Sequence, residues 1–239
     1  MSGSLGIVVP AYRPDVDRLL GYIETLEAEL EPRTIRVELD DPEPSTFDRL
    51  GSTTATVNAV ESRRGKGRAL TDGFDALDTA VLGFADADGS TPASSIRSIV
   101  SVVQDGQADV AVGSRRHPEA DVRAHQTVFR HRLGDGFAWL ARQVISPPLR
   151  DYQCGAKALT REVWGSVRPE IAEAGFAWDI EVIALSSAMS YEIREVPVTW
   201  IDHPESTVST WAAVPEMLRA LFRVRRRAKT IRGSDRGWE

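Results

Sequence analysis

The chain has 239 residues, 42% of them apolar and 27% charged, with a net charge of −6, a profile that excludes disordered and fibrous proteins. A single cysteine, Cys154, excludes an internal disulfide and a cysteine-based zinc site, and no run of about 18 apolar residues is present to span a bilayer. The opening MSGSLGIVVPAYRP lacks the charged start and apolar centre of a signal peptide, so the cytoplasm is the expected location.

Short β-rich runs alternate with helical patterns through the first half. LGIVV (5–9) precedes a helix with Val16, Leu19, Leu20, Ile23, Leu26 and Leu30 on one face, followed by TIRVEL (34–39). TATVNAV (54–60) precedes a helix over 66–77, AVLGFA (80–85) one with Ile96, Ile99, Val100 and Val103, and ADVAVG (108–113) closes the series. This alternation predicts an α/β domain with a mainly parallel central sheet flanked by helices. The second half is less regular: a long helix over 123–144, a hairpin piece at YQCGAKAL (152–159), a helix near 178–188 and a strand at 191–200. We expect one domain over residues 1–210 and a basic amphipathic helix and tail over 211–239, a segment in which basic side chains outnumber acidic ones.

In such sheets ligands bind beyond the carboxyl ends of the strands. PAYRP (10–14), DDPEP (40–44) and DADGS (86–90) each follow a predicted strand, so the topology can gather them at one edge. Asp86 and Asp88 stand two apart at the end of an apolar run, so in extended backbone both carboxylates face one side. A divalent cation relieves their repulsion, and two carboxylates that leave positions open for phosphate and water suit Mg²⁺ or Mn²⁺. Ser90 or Thr91 is the expected cap of the following helix, with Pro92 at its first position.

DADGST also resembles the nucleophile loop of haloacid dehalogenase-like phosphatases, but that loop follows a first strand and here the string follows the fourth. Seven segments in order carry a different resemblance: IVVPAY, RRGKGRAL (63–70), GFADADGS, VGSRR (112–116), RDYQCGAKALTREVW (150–164), FAWDIEVI (176–183) and VPVTWIDHPESTVS (196–209). The set resembles family 2 inverting glycosyltransferases of GT-A fold, and within them the dolichyl-phosphate glucosyltransferases and mannosyltransferases, over about residues 5–210.

The resemblance implies a metal-dependent transfer of glucose or mannose from UDP-glucose or GDP-mannose to dolichyl or polyprenyl phosphate, in protein glycosylation or cell-surface glycan synthesis. It favours Asp88 as the direct ligand of Mg²⁺ or Mn²⁺, with Asp86 nearer the ribose or metal-bound water and His203 as a late metal or diphosphate ligand. Pro10, Ala11 and Tyr12 match the base-contacting loop, with Pro10 fixing the turn that presents Tyr12. Asp40 and Asp41 stand where an acid accepts a hydrogen bond from the base, although Pro42, Glu43 and Pro44 replace the usual Gly-Ser, leaving uridine and guanosine both open. Gly65 and Gly67 let the backbone and Lys66 approach the nucleotide.

Asp179, with Glu181 beside it, matches the catalytic acidic position. A phosphate acceptor is already anionic at neutral pH, so Asp179 can orient the donor sugar instead of removing a proton. Arg115 and Arg116, Arg130 and Arg132, and Gln153 are candidates for the acceptor phosphate, and Cys154 reads as a small buried side chain. Ser206 and Ser209 share the loop of His203.

Trp211, Val214, Leu218, Leu221 and Phe222 form one helical stripe ahead of Arg225, Arg226 and Arg227, a pattern that suits a helix lying on an anionic membrane surface or docking on a membrane-protein partner. Docking of this stripe on the protein's own core is the other reading. The acidic remainder argues against nucleic acid. Two rival functions stay open: a transferase acting on a glycan or other hydroxyl, and a degenerate nucleotide-binding partner protein.

Overall fold

Period-two alternation in β1 (Leu5–Tyr12) sends Leu5, Ile7, Val9 and Ala11 into one apolar core and Val8 into another. The sheet is thus buried on both faces. The computed structural model describes residues 3–123, 141–143, 145–201 and 210–234, with side chains of the last segment described from 219 to 232.

One core holds α1 (Val16–Leu30) and α4 (Ala93–Gln104) against the sheet. Asp15 caps α1 by accepting from Arg18 N (3.1 Å), and Leu19, Tyr22, Ile23 and Leu26 form its buried stripe. The expected face of α4 is buried in full, whereas Leu20 and Leu30 of α1 are only partly so. The other core packs α3 (Lys66–Ala76), α5 (Arg161–Val167), α6 (Trp178–Ala188) and α7 (Thr210–Ser234), with Phe74, Phe84, Trp164 and Trp178 in edge-to-face or tilted contacts. A short helix, α2 (Pro44–Leu50), occupies the segment after Asp41 that the sequence left unassigned.

The remaining strands of the central sheet are β2 (Thr34–Asp40), β3 (Thr56–Val60), β4 (Val81–Ala85), β5 (Val110–Ser114), β7 (Ala156–Thr160) and β8 (Ile193–Pro197). Their order is β3-β2-β1-β4-β7-β5-β8. All neighbours are parallel except β7, which runs antiparallel between β4 and β5. The 152–159 segment is therefore not a hairpin piece, since its strand pairs with partners far away in the chain. The strand expected over 191–200 is split: β8 joins the main sheet, and β9 (Thr199–Ile201) pairs in parallel with β6 (Asp121–Arg123) in a small second sheet.

Along α7, Ala220, Leu221 and Val224 are buried, and Leu221 and Val224 pack with Ala228 and Ile231 into the α6 core. Leu221 thus docks on the protein, while Phe222 turns outward and is 54% exposed. Arg227 bonds Glu181 Oε1 (2.7 Å) and the Glu170 carbonyl, and Arg223 forks onto Glu173 (2.8 and 3.1 Å). No described helix is long and apolar enough to cross a membrane.

Candidate active site

The chain leaves β1 for β2 and β3 on one side and returns to place β4 on the other, which opens a crevice beyond the strand ends at the β1/β4 junction. A cleft of about 500 Å³ fills it. β1 contributes Pro10, Ala11 and Tyr12, β2 contributes Asp40, the start of α3 contributes Gly65 and Lys66, and the turn after β4 contributes Asp86 and Asp88. Arg13, Arg18, Arg63 and Phe176 complete the part of the wall that matters here.

Pro10 and Tyr12 are the closing residues of β1 itself, so Pro10 makes no turn as expected. It pairs with Glu38 of β2 beyond the stretch where β1 meets β4, where its missing N–H costs no ladder bond on the β4 side. The Arg63 guanidinium lies 4.2 Å from the Tyr12 ring centroid, with Arg13 at 5.5 Å. Arg63 was not legible as a site residue.

Asp40 is buried, and three donors hold it: Oδ2 accepts from Arg64 N (2.7 Å) and Gly65 N (3.1 Å), and Oδ1 from Arg64 Nε (2.8 Å). Asp41 does not line the cleft. It takes a positive φ of 47° and pairs with Arg13 (2.7 Å).

The two glycines around Lys66 are also required by packing. Gly65 adopts φ 95°, and a Cβ on Gly67 would sit 2.7 Å from Glu173 O and from Trp178 Cβ, because residues 173–175 cross over the start of α3. Arg68 N donates to Ala174 O there (3.0 Å). Lys66 is left aimed at the carboxylates, with Nζ 2.8 Å from Asp86 Oδ1 and 3.4 Å from Asp179 Oδ2. Burial alone would lower its pKa, but Asp179 and Asp86 outweigh burial and raise it.

Asp86 directly follows β4 and Asp88 stands in the turn beyond it. Gly89 takes φ 66° against the Tyr22 ring, Ser90 N donates to Asp88 Oδ1 (2.9 Å), and Tyr22 Oη donates to Thr91 O (2.6 Å). Neither Ser90 nor Thr91 caps α4, and Pro92 occupies the cap position instead of the first helical one. Burial pushes the Asp86 carboxyl up, Lys66 opposes that, and the charges of Asp88 and Asp179 add to it. Asp86 N donates to Gly155 O (2.9 Å), and a Cβ on Gly155 would lie 1.8 Å from the Asp86 carboxylate. Gly155 is therefore the residue that makes room for Asp86.

Asp179 is buried beneath this floor and does not line the cleft. Its Oδ1 binds Lys157 Nζ (2.5 Å) and its Oδ2 faces Lys66. Glu181 is no part of the site: Oε2 accepts from Ala172 N (2.9 Å) and Glu173 N (2.8 Å), and Oε1 binds Arg227. Arg115 does not line the cleft either. Its Nε donates to Asp151 Oδ2 (2.7 Å) and its Nη2 to Oδ1 (3.1 Å), and it lies 5.7 Å from the Trp200 ring centroid.

Gln153 N donates to Asp151 Oδ1 (3.0 Å), which fixes this loop from inside. Burial pushes the Cys154 thiol up to about 11, as suits an inert core side chain. Arg130, Arg132, His203, Ser206 and Ser209 lie outside the described residues, as do the side chains of Trp211, Val214 and Leu218.

The glycosyl transferase family 2 model matches residues 54–164, which take in Lys66, Asp86, Asp88 and Gly155. Residues 54–164 form a glycosyl transferase family 2 domain. It is 30% identical over 208 residues to glycosyltransferase AglD of Haloferax volcanii, covering 82% of this chain but 33% of that protein. It is 26% identical over 246 residues to the dolichyl-phosphate beta-glucosyltransferase of Homo sapiens, covering 95% of this chain and 76% of that one. The chain thus spans about a third of the length of the first relative and three quarters of the second.

In fold, the chain is similar to glucosyl-3-phosphoglycerate synthase from Mycobacterium tuberculosis, solved with Mn²⁺, UDP-glucose and phosphoglyceric acid. The TM-score is 0.74 at 16% identity, covering 93% of this chain and 80% of that one. It is also similar to mannosyl-3-phosphoglycerate synthase from Rubrobacter xylanophilus, with a TM-score of 0.68 at 17% identity and coverage of 99% and 76%. Both share its GT-A architecture of one sheet with helices on either face.

Proposed function

We propose that this protein transfers glucose from UDP-glucose to dolichyl or a related polyprenyl phosphate. The observation that carries the reading is the set of two carboxylates and one ammonium, Asp86, Asp88 and Lys66, brought together in a cleft at the β1/β4 junction. The names of the dolichyl-phosphate beta-glucosyltransferase relatives support the acceptor and the hexose.

The base end of the cleft favours uridine. A carboxylate accepts about four hydrogen bonds, and three of Asp40's are taken by Arg64 and Gly65. One N–H can still be received, which fits the single ring donor of uracil better than the N1–H and amino pair of guanine. Tyr12, backed by Arg63, offers the stacking face.

Asp86 and Asp88 fit a hard divalent cation. They share the cleft wall, Asp86 is crowded by negative charge, and two carboxylates leave positions for phosphate oxygens, water and His203, the third ligand the resemblance implies. When bound, Mg²⁺ or Mn²⁺ neutralises charge on the departing diphosphate. Lys66 adds a fixed positive charge on the same side. The acceptor phosphate is anionic at neutral pH and needs no proton removed, in keeping with Asp179 lying under two lysines instead of on the cleft surface.

The outer face of α7 supports peripheral attachment to an anionic membrane on its cytoplasmic side. Arg219, Phe222, Arg226 and Lys229 are all exposed and recur at helical spacing, whereas residues 1–209 are acidic on balance.

The test is transfer of radiolabelled hexose from UDP-glucose and from GDP-mannose to a short-chain dolichyl phosphate, with Mn²⁺ or with chelator. Metal-dependent glucolipid is the expected product. Mannolipid alone would overturn the donor assignment, and transfer only to hydroxyl acceptors would overturn the phosphate acceptor.

A further inference from the structure

Beneath the cleft lies a file of alternating charges that the proposed chemistry does not by itself require. Lys157, the second residue of β7, is 2% exposed and donates to Cys154 O (2.9 Å) and Asp179 Oδ1 (2.5 Å). Asp179, also 2% exposed, offers its other oxygen to Lys66, whose Nζ is nearer still to Asp86. Both ammonium groups approach the Phe84 ring, at 5.1 and 5.3 Å from its centroid. The order is Lys157, Asp179, Lys66, Asp86: two cations and two anions, with Asp88 as an additional negative charge at the cleft.

A buried charge without a partner is costly, and Lys157 gives Asp179 a permanent one. Lys66 is different. It stands between two carboxylates, one sealed in the core and one with a side chain 41% exposed to the cleft. A small movement of its ammonium from Asp86 toward Asp179 keeps it paired and frees Asp86 Oδ1.

We propose that Lys66 is the resting counter-ion of Asp86 and yields that carboxylate to an incoming divalent cation, staying in place through Asp179, which Lys157 holds as a positioning residue. This rests on the cation site proposed above. The arrangement makes cation binding an exchange of counter-ions, so the cleft never holds Asp86 and Asp88 without a positive charge nearby. It also gives Lys66 an unusual sign of effect, because removing this cation should tighten binding of the metal.

The experiment uses the full chain and Mn²⁺ without nucleotide, followed by electron paramagnetic resonance. Lys66→Met should bind Mn²⁺ about tenfold more tightly than wild type, since a unit positive charge a few ångströms away repels a divalent ion even when well screened. Unchanged or weaker binding by a folded Lys66→Met would overturn the exchange while leaving the cation site standing. No Mn²⁺ binding by wild type, with or without UDP, would instead overturn the site itself.

A second measurement avoids mutation. The chain has three lysines, Lys66, Lys157 and Lys229, so lysine-selective ¹⁵N labelling gives three ammonium signals. Addition of Mg²⁺ should shift Lys66 strongly and leave Lys229 in place. A Lys66 signal indifferent to saturating Mg²⁺ would contradict the proposal.

Discussion

Two aspartates sit on either side of β7, one buried and one open to the cleft, and they are treated in opposite ways. Asp151 is 1% exposed and saturated: Arg115 N, Nε and Nη2 and Gln153 N all donate to it, and Arg116 Nη1 lies 3.7 Å away. Burial alone would raise its pKa, but Arg115 and its neighbours hold it well below the usual carboxylate range. Asp86 is pushed the other way, is open to the cleft, and draws its ion pair from Lys66. A carboxylate whose bonds are all made supports the fold, while one left partly unanswered at a cleft is free to meet a ligand.

Removing a ligand-facing acid should separate these roles most sharply. Asp88→Ala is expected to lower kcat/KM about a thousandfold, equivalent to roughly 4 kcal/mol of transition-state stabilisation, with little change in thermal midpoint. Equal losses of activity and stability would erase the distinction. Asp151→Ala should do the reverse, costing about 3 kcal/mol because the partly buried Arg115 is left without its buried partner, as read from urea midpoints, while the folded fraction keeps its turnover.

The Asp151 contribution also has a sign in pH. Its native pKa is depressed, so the stabilisation is fully present above the unfolded value of about 4 and fades as pH falls below it toward the native value. The gap in urea midpoint between wild type and Asp151→Asn should therefore narrow in acid. A gap that widened would show that the carboxylate is not the stabilising species.

Gly155→Ala probes the border between the two aspartates. The new methyl would need the space of the Asp86 carboxylate, so a stability cost of about 1–3 kcal/mol should accompany a larger loss of cation affinity. The smallest effect concerns charges outside both clusters. Arg226→Gln and Lys229→Gln should each weaken binding to phosphatidylserine vesicles about fivefold, near 1 kcal/mol per charge, with turnover of a detergent-solubilised acceptor unchanged.

Much of this was legible because it is local. The alternation of strands and helices, the buried stripe of α4 and the placing of Tyr12, Asp40, Asp86 and Asp88 at or just past strand ends all follow from short-range periodicity and turn chemistry. What escaped depends on contacts between distant segments. β7 pairs Ala156 with Ala85 and Thr160 with Val81, which no pattern inside YQCGAKAL announces. The role of Gly155 depends on that same pairing. Glu181 and Asp179 look alike in WDIE, and only the crossing of residues 170–174 and α7 separates a brace from a member of the charge file. Lys157 did leave a trace: a lysine within the apolar run AKAL is a buried charge in need of an acid.

The late arrival of β7 also sets the order in which the protein can be made. While the ribosome is still short of residue 156, β4 and β5 lack the strand that joins them, so each presents a bare ladder edge in the nascent chain. The cleft cannot take its final shape until that gap is filled, since the backbone that positions Asp86 belongs to the same late segment. A truncated chain ending near residue 150 would be without the strand that closes the sheet, and is expected to engage chaperones or self-associate through those edges.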